Sequence, residues 1–127
     1  MSSKDGNKPT SGKIGYTRKE FGIIFQIYSQ YVYEGLFRDF SFSEINGKYF
    51  ISYREEAGQT PLVTIEKRRL GPDRYLFVAT SAGAKNALVE IARSEKIDAF
   101  ARQLRQKISA YSLKRELSGD NVRSIVE

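Results

Sequence analysis

Residues 40–54 read FSFSEINGKYFISYR, two alternating segments joined at Asn46-Gly47. Asn-Gly between alternating apolar and polar residues is the strongest short signal for a β-hairpin, because both turn residues adopt positive φ. A two-residue turn places Phe42 opposite Ile51 and thereby fixes every other pair of the hairpin. One side of the hairpin is then apolar, and we expect it to face the core with Phe40, Phe42, Tyr49, Ile51 and Tyr53.

The segment before the hairpin has the marks of a helix over residues 17–34. Thr17 and Glu20 have the spacing of a capping box, in which each side chain bonds the backbone N–H of the other residue. Gly35 is suited to end the helix in a left-handed conformation. The apolar residues that recur at helical spacing, and that we expect to pack on the hairpin, are Phe21, Ile24, Phe25 and Tyr28.

The segment after the hairpin predicts two more strands, Leu62 to Arg68 and Arg74 to Thr80, separated by short loops that favour an antiparallel meander. Helical character is expected from Ala84 to residue 92 and again over 95–116, either as one kinked helix or as a helix pair. The predicted fold class is therefore α+β: an N-terminal helix, a four-stranded antiparallel meander and a C-terminal helix or helix pair. We expect one domain over residues 16–117, a flexible tail over 1–15 and a loose C-terminal tail over 118–127.

The composition argues against common catalytic chemistry. The 127 residues include no cysteine and no histidine, which excludes disulfides, the usual zinc sites and the commonest general base near neutral pH. Residues 80–86 join a strand to a helix but lack the glycine and lysine spacing of a phosphate loop. The sequence therefore predicts no catalytic, cofactor or metal site, and the protein is expected not to be an enzyme. A deep pocket that gathered two of Asp39, Glu44 and Glu66 would favour the enzyme alternative.

The charge balance gives a weak indication of binding. The net charge of +6 attracts nucleic acid or an acidic protein, although such a charge also serves solubility alone. On the outer side of the hairpin, basic residues flank Phe50, and a second basic group surrounds the next turn. A basic sheet face with an exposed aromatic is typical of single-strand binding. The candidate nucleic-acid-binding residues are Lys48, Phe50, Arg54, Lys67, Arg68, Arg69 and Arg74.

Two short motifs, Phe37-Arg38-Asp39-Phe40 and PLVTIEKR at residues 61–68, resemble domain-of-unknown-function family 2794, short alphaproteobacterial proteins. That family has Trp-Arg-Asp-Tyr after its first helix and Pro-Leu-x-x-Ile-Glu-Lys-Arg after its hairpin. Here Phe37 stands for the tryptophan, Phe40 for the tyrosine, and Arg69 for an expected proline. The family brings no established activity, so the resemblance implies an architecture and no site residues. We expect Arg38, Asp39, Glu66 and Lys67 to form a structural ion-pair set.

The sequence favours a small, non-enzymatic binding or adaptor protein that acts through protein–protein contacts or self-association. The alternative is a single-stranded nucleic-acid-binding module that uses a basic, aromatic-bearing sheet face. Nothing approaches the roughly 18 consecutive apolar residues of a membrane span, and no apolar leader is present, so a cytoplasmic location without membrane contact is expected. No cofactor is predicted.

Overall fold

The computed structural model describes residues 15–83, 87–118 and 125. Within these residues five antiparallel strands form one sheet in the order of the chain, and two helices flank them in sequence. The architecture confirms the predicted α+β class, with a fifth strand added to the four expected. The elements are α1 (Arg18–Tyr33), β1 (Asp39–Ile45), β2 (Lys48–Arg54), β3 (Val63–Gly71), β4 (Arg74–Ala82), β5 (Leu88–Ser94) and α2 (Ile97–Ser118).

The hairpin of β1 and β2 has the predicted register. Phe42 pairs with Ile51 and Phe40 with Tyr53, with no irregularity along the seven pairs. Asn46 and Gly47 have φ values of 54° and 78°, as a type I′ turn requires. The turn chemistry and the alternation of side chains therefore select the same pairing.

Helix α1 begins and ends at the signals read in the sequence. The Thr17 hydroxyl accepts a hydrogen bond from the Glu20 amide at 3.1 Å, and the Glu20 carboxylate accepts one from the Thr17 amide at 2.9 Å. At the other end Gly35 has φ +85°, and the Leu36 amide donates to the Tyr31 carbonyl at 2.8 Å. Both ends satisfy backbone groups that a helix otherwise leaves unpaired.

Strand β5 corrects the prediction of helix from Ala84 to residue 92; residues 84–86 of that range lie outside the described part of the chain. Thr80 pairs with Glu90 and Ala79 with Ala92, so Ile91 is the extra residue of a β-bulge. The bulge buries the adjacent Ile91 and Ala92 together and breaks the alternation that marks a strand. The spacing of Ala87, Leu88 and Ile91 in the sequence imitates a helix, although Leu88 is exposed in the strand.

The core lies between one face of the sheet and both helices. The Tyr53 hydroxyl donates to the Ile24 carbonyl of α1 at 2.7 Å, and the ring of Phe77 lies 5.8 Å from that of Phe100 in α2. One side of α2 is buried, and the Ser94 hydroxyl accepts a hydrogen bond from the Lys96 amide just before that helix at 3.0 Å. The buried residues of α2 are Phe100, Ala101, Leu104, Ile108 and Tyr111. We call the sheet face that meets the helices the inner face and the opposite one the outer face.

The two predicted tails lie largely outside the described residues. Of residues 1–15 only Gly15 is described, and of the C-terminal tail only Ser118 and Ile125, the latter being buried. Neither α1 nor α2, the helices of the described residues, is both long and apolar enough to cross a membrane.

Candidate functional site

An open depression of about 800 Å³ lies at the end of the sheet that carries the Asn46-Gly47 turn. Four of the seven predicted nucleic-acid-binding residues contribute to its wall. We call it the basic depression, and its lining includes Lys48, Glu66, Lys67, Arg68, Arg69 and Tyr75.

The cations of the basic depression differ in how free they are. Lys48 and Arg69 are exposed, and neither forms an ion pair with any described residue. Arg68 donates to the Glu66 carboxylate at 3.1 Å, so its charge is partly neutralised. The ring of Tyr75 is 38% exposed and provides a flat apolar surface beside these cations. The depression can therefore hold an anion and stack a planar group.

Lys67 lines the same depression but is part of the core packing. Its register partners are Tyr49 and Phe77, which places it on the inner face. Its ammonium donates to the Glu20 carboxylate at 2.8 Å and to the Gly15 carbonyl at 3.0 Å. The same ammonium lies 4.3 Å from the centre of the Tyr75 ring, a cation–π contact. With a side chain only 6% exposed, Lys67 does not present its charge to a ligand.

The other predicted binding residues lie away from the depression. Arg54, at the far end of β2, donates to Asp39 at 3.2 Å and to the Ser41 hydroxyl at 2.7 Å. Arg74 makes two hydrogen bonds to Glu95, and this hydrogen bonding is the main reason that the pKa of the Glu95 carboxyl is lowered. Phe50 is half-buried on the outer face. The seven predicted residues therefore do not form one continuous surface.

The expected ion-pair set is also rearranged. Asp39 pairs with Arg54, Glu66 with Arg68 and Lys67 with Glu20. Each of the three therefore pairs with a residue that does not belong to the predicted ion-pair set. Arg38 forms no ion pair with a described residue. Of the three acids considered for catalysis, only Glu66 lines the basic depression. Cross-strand pairing puts Asp39 and Glu66 on the outer face and Glu44 on the inner face, so they are not gathered.

A second surface lies where α1 overhangs the first strand of the sheet. Phe25 and Val32 of α1 are 43% and 41% exposed, and Phe42 of β1 is 38% exposed. The Phe25 ring lies 5.2 Å from that of Phe40, which joins the helix to the strand. We call this surface the aromatic edge and define it by Phe25, Val32, Phe40 and Phe42.

The position of α2 explains why this flank is open. Tyr31 bonds Ser109, and Gln30 accepts from Arg105, so α2 occupies the flank of α1 on that side. On a helical wheel Phe25 and Val32 lie on the opposite flank, since seven residues make nearly two turns. Among the described residues, α2 therefore does not cover the flank of α1 that carries the aromatic edge.

The backbone of β1 is the second component of the aromatic edge. Among the described strands β1 is terminal, and β2 is its only neighbour in the sheet. In a two-residue hairpin the residues that flank the turn exchange hydrogen bonds, and every second residue does so after them. Ser41 and Ser43 therefore point their amides at β2, while the amides of Phe40, Phe42 and Glu44 point outward.

Comparison with known protein families, with curated proteins and with solved structures finds no match in any of the three. These comparisons neither confirm nor contradict the resemblance to family 2794, which stays a prediction.

Proposed function

We propose that the protein is a non-enzymatic binding protein that acts through protein–protein contact, specifically self-association through its aromatic edge. The observation that carries this proposal is a strand edge that no other described strand pairs with, on the same flank as three large apolar side chains that are each about two-fifths exposed. Single exposed apolar residues are ordinary, but several on one flank, beside amides that bond no described strand, favour a contact surface.

The sequence of β1 supports this reading. Sheet proteins usually protect an exposed edge with lysine, proline, a bulge or a very short strand. Strand β1 is seven residues long, DFSFSEI, with neither lysine nor proline, and its register with β2 has no bulge; its charged residues are Asp39 at its start and Glu44 near the turn. An edge without these features is suited to accept another strand.

The pairing of the basic residues makes a nucleic-acid function the second candidate. Four of the six predicted cations, namely Arg54, Lys67, Arg68 and Arg74, are already in ion pairs with carboxylates. Paired cations release fewer counterions on binding a phosphate backbone, and this release dominates such affinity.

Sedimentation equilibrium over a wide range of concentrations tests the proposed function. We expect the wild-type chain to associate reversibly and Phe42→Lys to remain monomeric, because a lysine on the inner side of the edge opposes strand pairing. Leu113→Lys, at an apolar residue of α2 that is 55% exposed, is the matched control and should still associate. A wild-type chain that is monomeric at every concentration would overturn the proposal.

The basic depression supports binding of single-stranded nucleic acid as the second candidate, because Lys48, Arg69 and Tyr75 are open there. With about two phosphate contacts, from Lys48 and Arg69, the logarithm of affinity should fall with the logarithm of salt at a slope of about −1.4. Lys48→Glu should weaken binding of a labelled oligonucleotide, and Lys114→Glu on α2 is the control with the same change of charge. Equal affinity in the two variants would exclude the depression as the site.

A further inference from the structure

We propose that the partner at the aromatic edge is a second copy of the chain, paired β1 to β1 in antiparallel fashion about a two-fold axis at Ser41. This inference rests on the proposed function and adds its register. In that register Phe40 of each copy lies opposite Phe42 of the other, and Arg38 of each copy lies opposite Glu44 of the other.

The backbone permits this pairing without disturbing the hairpin. In this register the outward amide of Phe40 donates to the Phe42 carbonyl of the second copy, and the outward amide of that Phe42 donates to the Phe40 carbonyl, because the two residues exchange places across the axis. Ser41 meets Ser41 as a pair without mutual hydrogen bonds, which agrees with its amide pointing at β2. The new ladder ends at Arg38, whose amide already donates to the Arg54 carbonyl at 3.0 Å.

Symmetry and side-chain direction leave few registers open. A two-fold axis between antiparallel strands is perpendicular to the sheet, so the inner faces of the two copies lie on the same side. Residues opposite each other must also point to the same face, so the axis passes at a residue and not between two residues. An axis at Phe42 would place Glu44 opposite the apolar Phe40 beneath α1. An axis at Phe40 would place Arg38 opposite Phe42. Of these three registers only the one centred on Ser41 joins aromatic to aromatic and cation to anion.

The charges at the two ends of the segment support the same choice. Arg38 and Glu44 are exposed and form no ion pair with any described residue. Arg38 directly precedes β1 and its amide turns toward β2, so its long side chain reaches Glu44 of the second copy across the end of the ladder. The outer side is compatible, because Asp39 meets Ser43 and no like charges are opposed.

Helix α1 would extend the contact beyond the strand. The axis brings the flank of α1 that carries Phe25 and Val32 toward the same flank of the second copy. Gly22 and Ser29 lie on this flank as well, and both are exposed. Small residues at such positions let two helices approach closely, so the half-exposed rings become covered.

A charge reversal and its rescue test the register. Arg38→Glu or Glu44→Arg alone places like charges opposite each other at both ends of the contact. We expect each single change to weaken the dimer about tenfold or more at low salt, and the double variant to restore the wild-type affinity. Lys114→Glu and Glu116→Arg, exposed on α2, are the controls with the same changes of net charge.

Sedimentation equilibrium supplies the dimer affinity, and circular dichroism checks that each variant folds. Single reversals that leave the affinity unchanged, or a double variant that stays weak, would overturn the register while self-association stands. A monomeric wild-type chain would overturn the register and the proposed function together. The two failures are thus distinguishable.

Discussion

Lys67 shows how the role predicted for a residue from the sequence can differ from its role in the structure. Its place among Arg68 and Arg69 indicates a basic surface, and the alternation of β3 turns it to the inner face, where Glu20 neutralises it. The contact joins residues 47 positions apart, so no local pattern reveals it. The part of the candidate site that depends on such tertiary pairs could not be predicted from the sequence.

Lys67→Met should lower the free energy of unfolding by about 3 kcal/mol, because it leaves the largely covered Glu20 carboxylate without its cation. Chemical denaturation measures the effect. The double variant Lys67→Met, Glu20→Gln should recover part of the loss, since no unpaired charge remains. Arg69→Ala, exposed and without an ion pair to a described residue, should change stability by less than about 0.5 kcal/mol. Equal effects of Lys67→Met and Arg69→Ala would contradict the buried pair.

The buried tyrosines make stability depend on alkaline pH. Burial, followed by the hydrogen bond to Glu55, raises the pKa of Tyr111 to about 12. An unfolded tyrosine ionises near pH 10, so this contribution is complete below about pH 10 and is lost as pH rises toward 12. Burial also raises the pKa of Tyr16 and of Tyr53, which adds to the same slope.

Tyr111→Phe should therefore flatten the fall in the free energy of unfolding between pH 10 and 12 by up to about 1.4 kcal/mol per pH unit. Urea denaturation at a series of pH values measures the slope. Tyr33→Phe, at a residue 94% exposed, is the matched control and should leave the slope unchanged. An unaltered slope in Tyr111→Phe would show that folding does not raise the pKa of Tyr111 above its unfolded value.

At the scale of the element, local chemistry decides what can be predicted. The capping box of α1 and the Asn46-Gly47 turn involve neighbours in sequence, and both are present as expected. The sequence does not predict strand β5, because its bulge depends on pairing with β4. Two residues of β5 lie there opposite one residue of β4. The position of β1 at the edge of the described sheet follows from its place as the first strand of the meander, which the sequence predicts.

Gly47→Ala should destabilise the hairpin by about 1–2 kcal/mol, because φ there is +78° and only the backbone conformation opposes the new methyl group. Gly22→Ala adds the same group to an exposed position of α1 and should stabilise by about 0.5–1 kcal/mol. Thermal unfolding of both variants measures the two signs. A neutral Gly47→Ala would contradict the type I′ turn on which the register of β1 depends.

At the scale of the molecule, the two helices and the sheet leave two surfaces with distinct chemistry. The basic depression gathers Lys48, Arg68 and Arg69 beside Tyr75, and the aromatic edge combines open amides with half-exposed rings. The sequence predicts both sets of side chains. Which cations are already paired, and which apolar residues the helices leave uncovered, depends on packing across the whole chain.

Amide hydrogen exchange along β1, followed by NMR at several protein concentrations, tests self-association through this edge most directly. At low concentration the amides of Ser41 and Ser43, which point at β2, should exchange slowly, while the amides of Phe40 and Phe42 exchange fast. At high concentration all four should be protected, because the outward amides then bond the second copy. Fast exchange of Phe40 and Phe42 at every concentration would contradict the proposal that β1 is the contact edge.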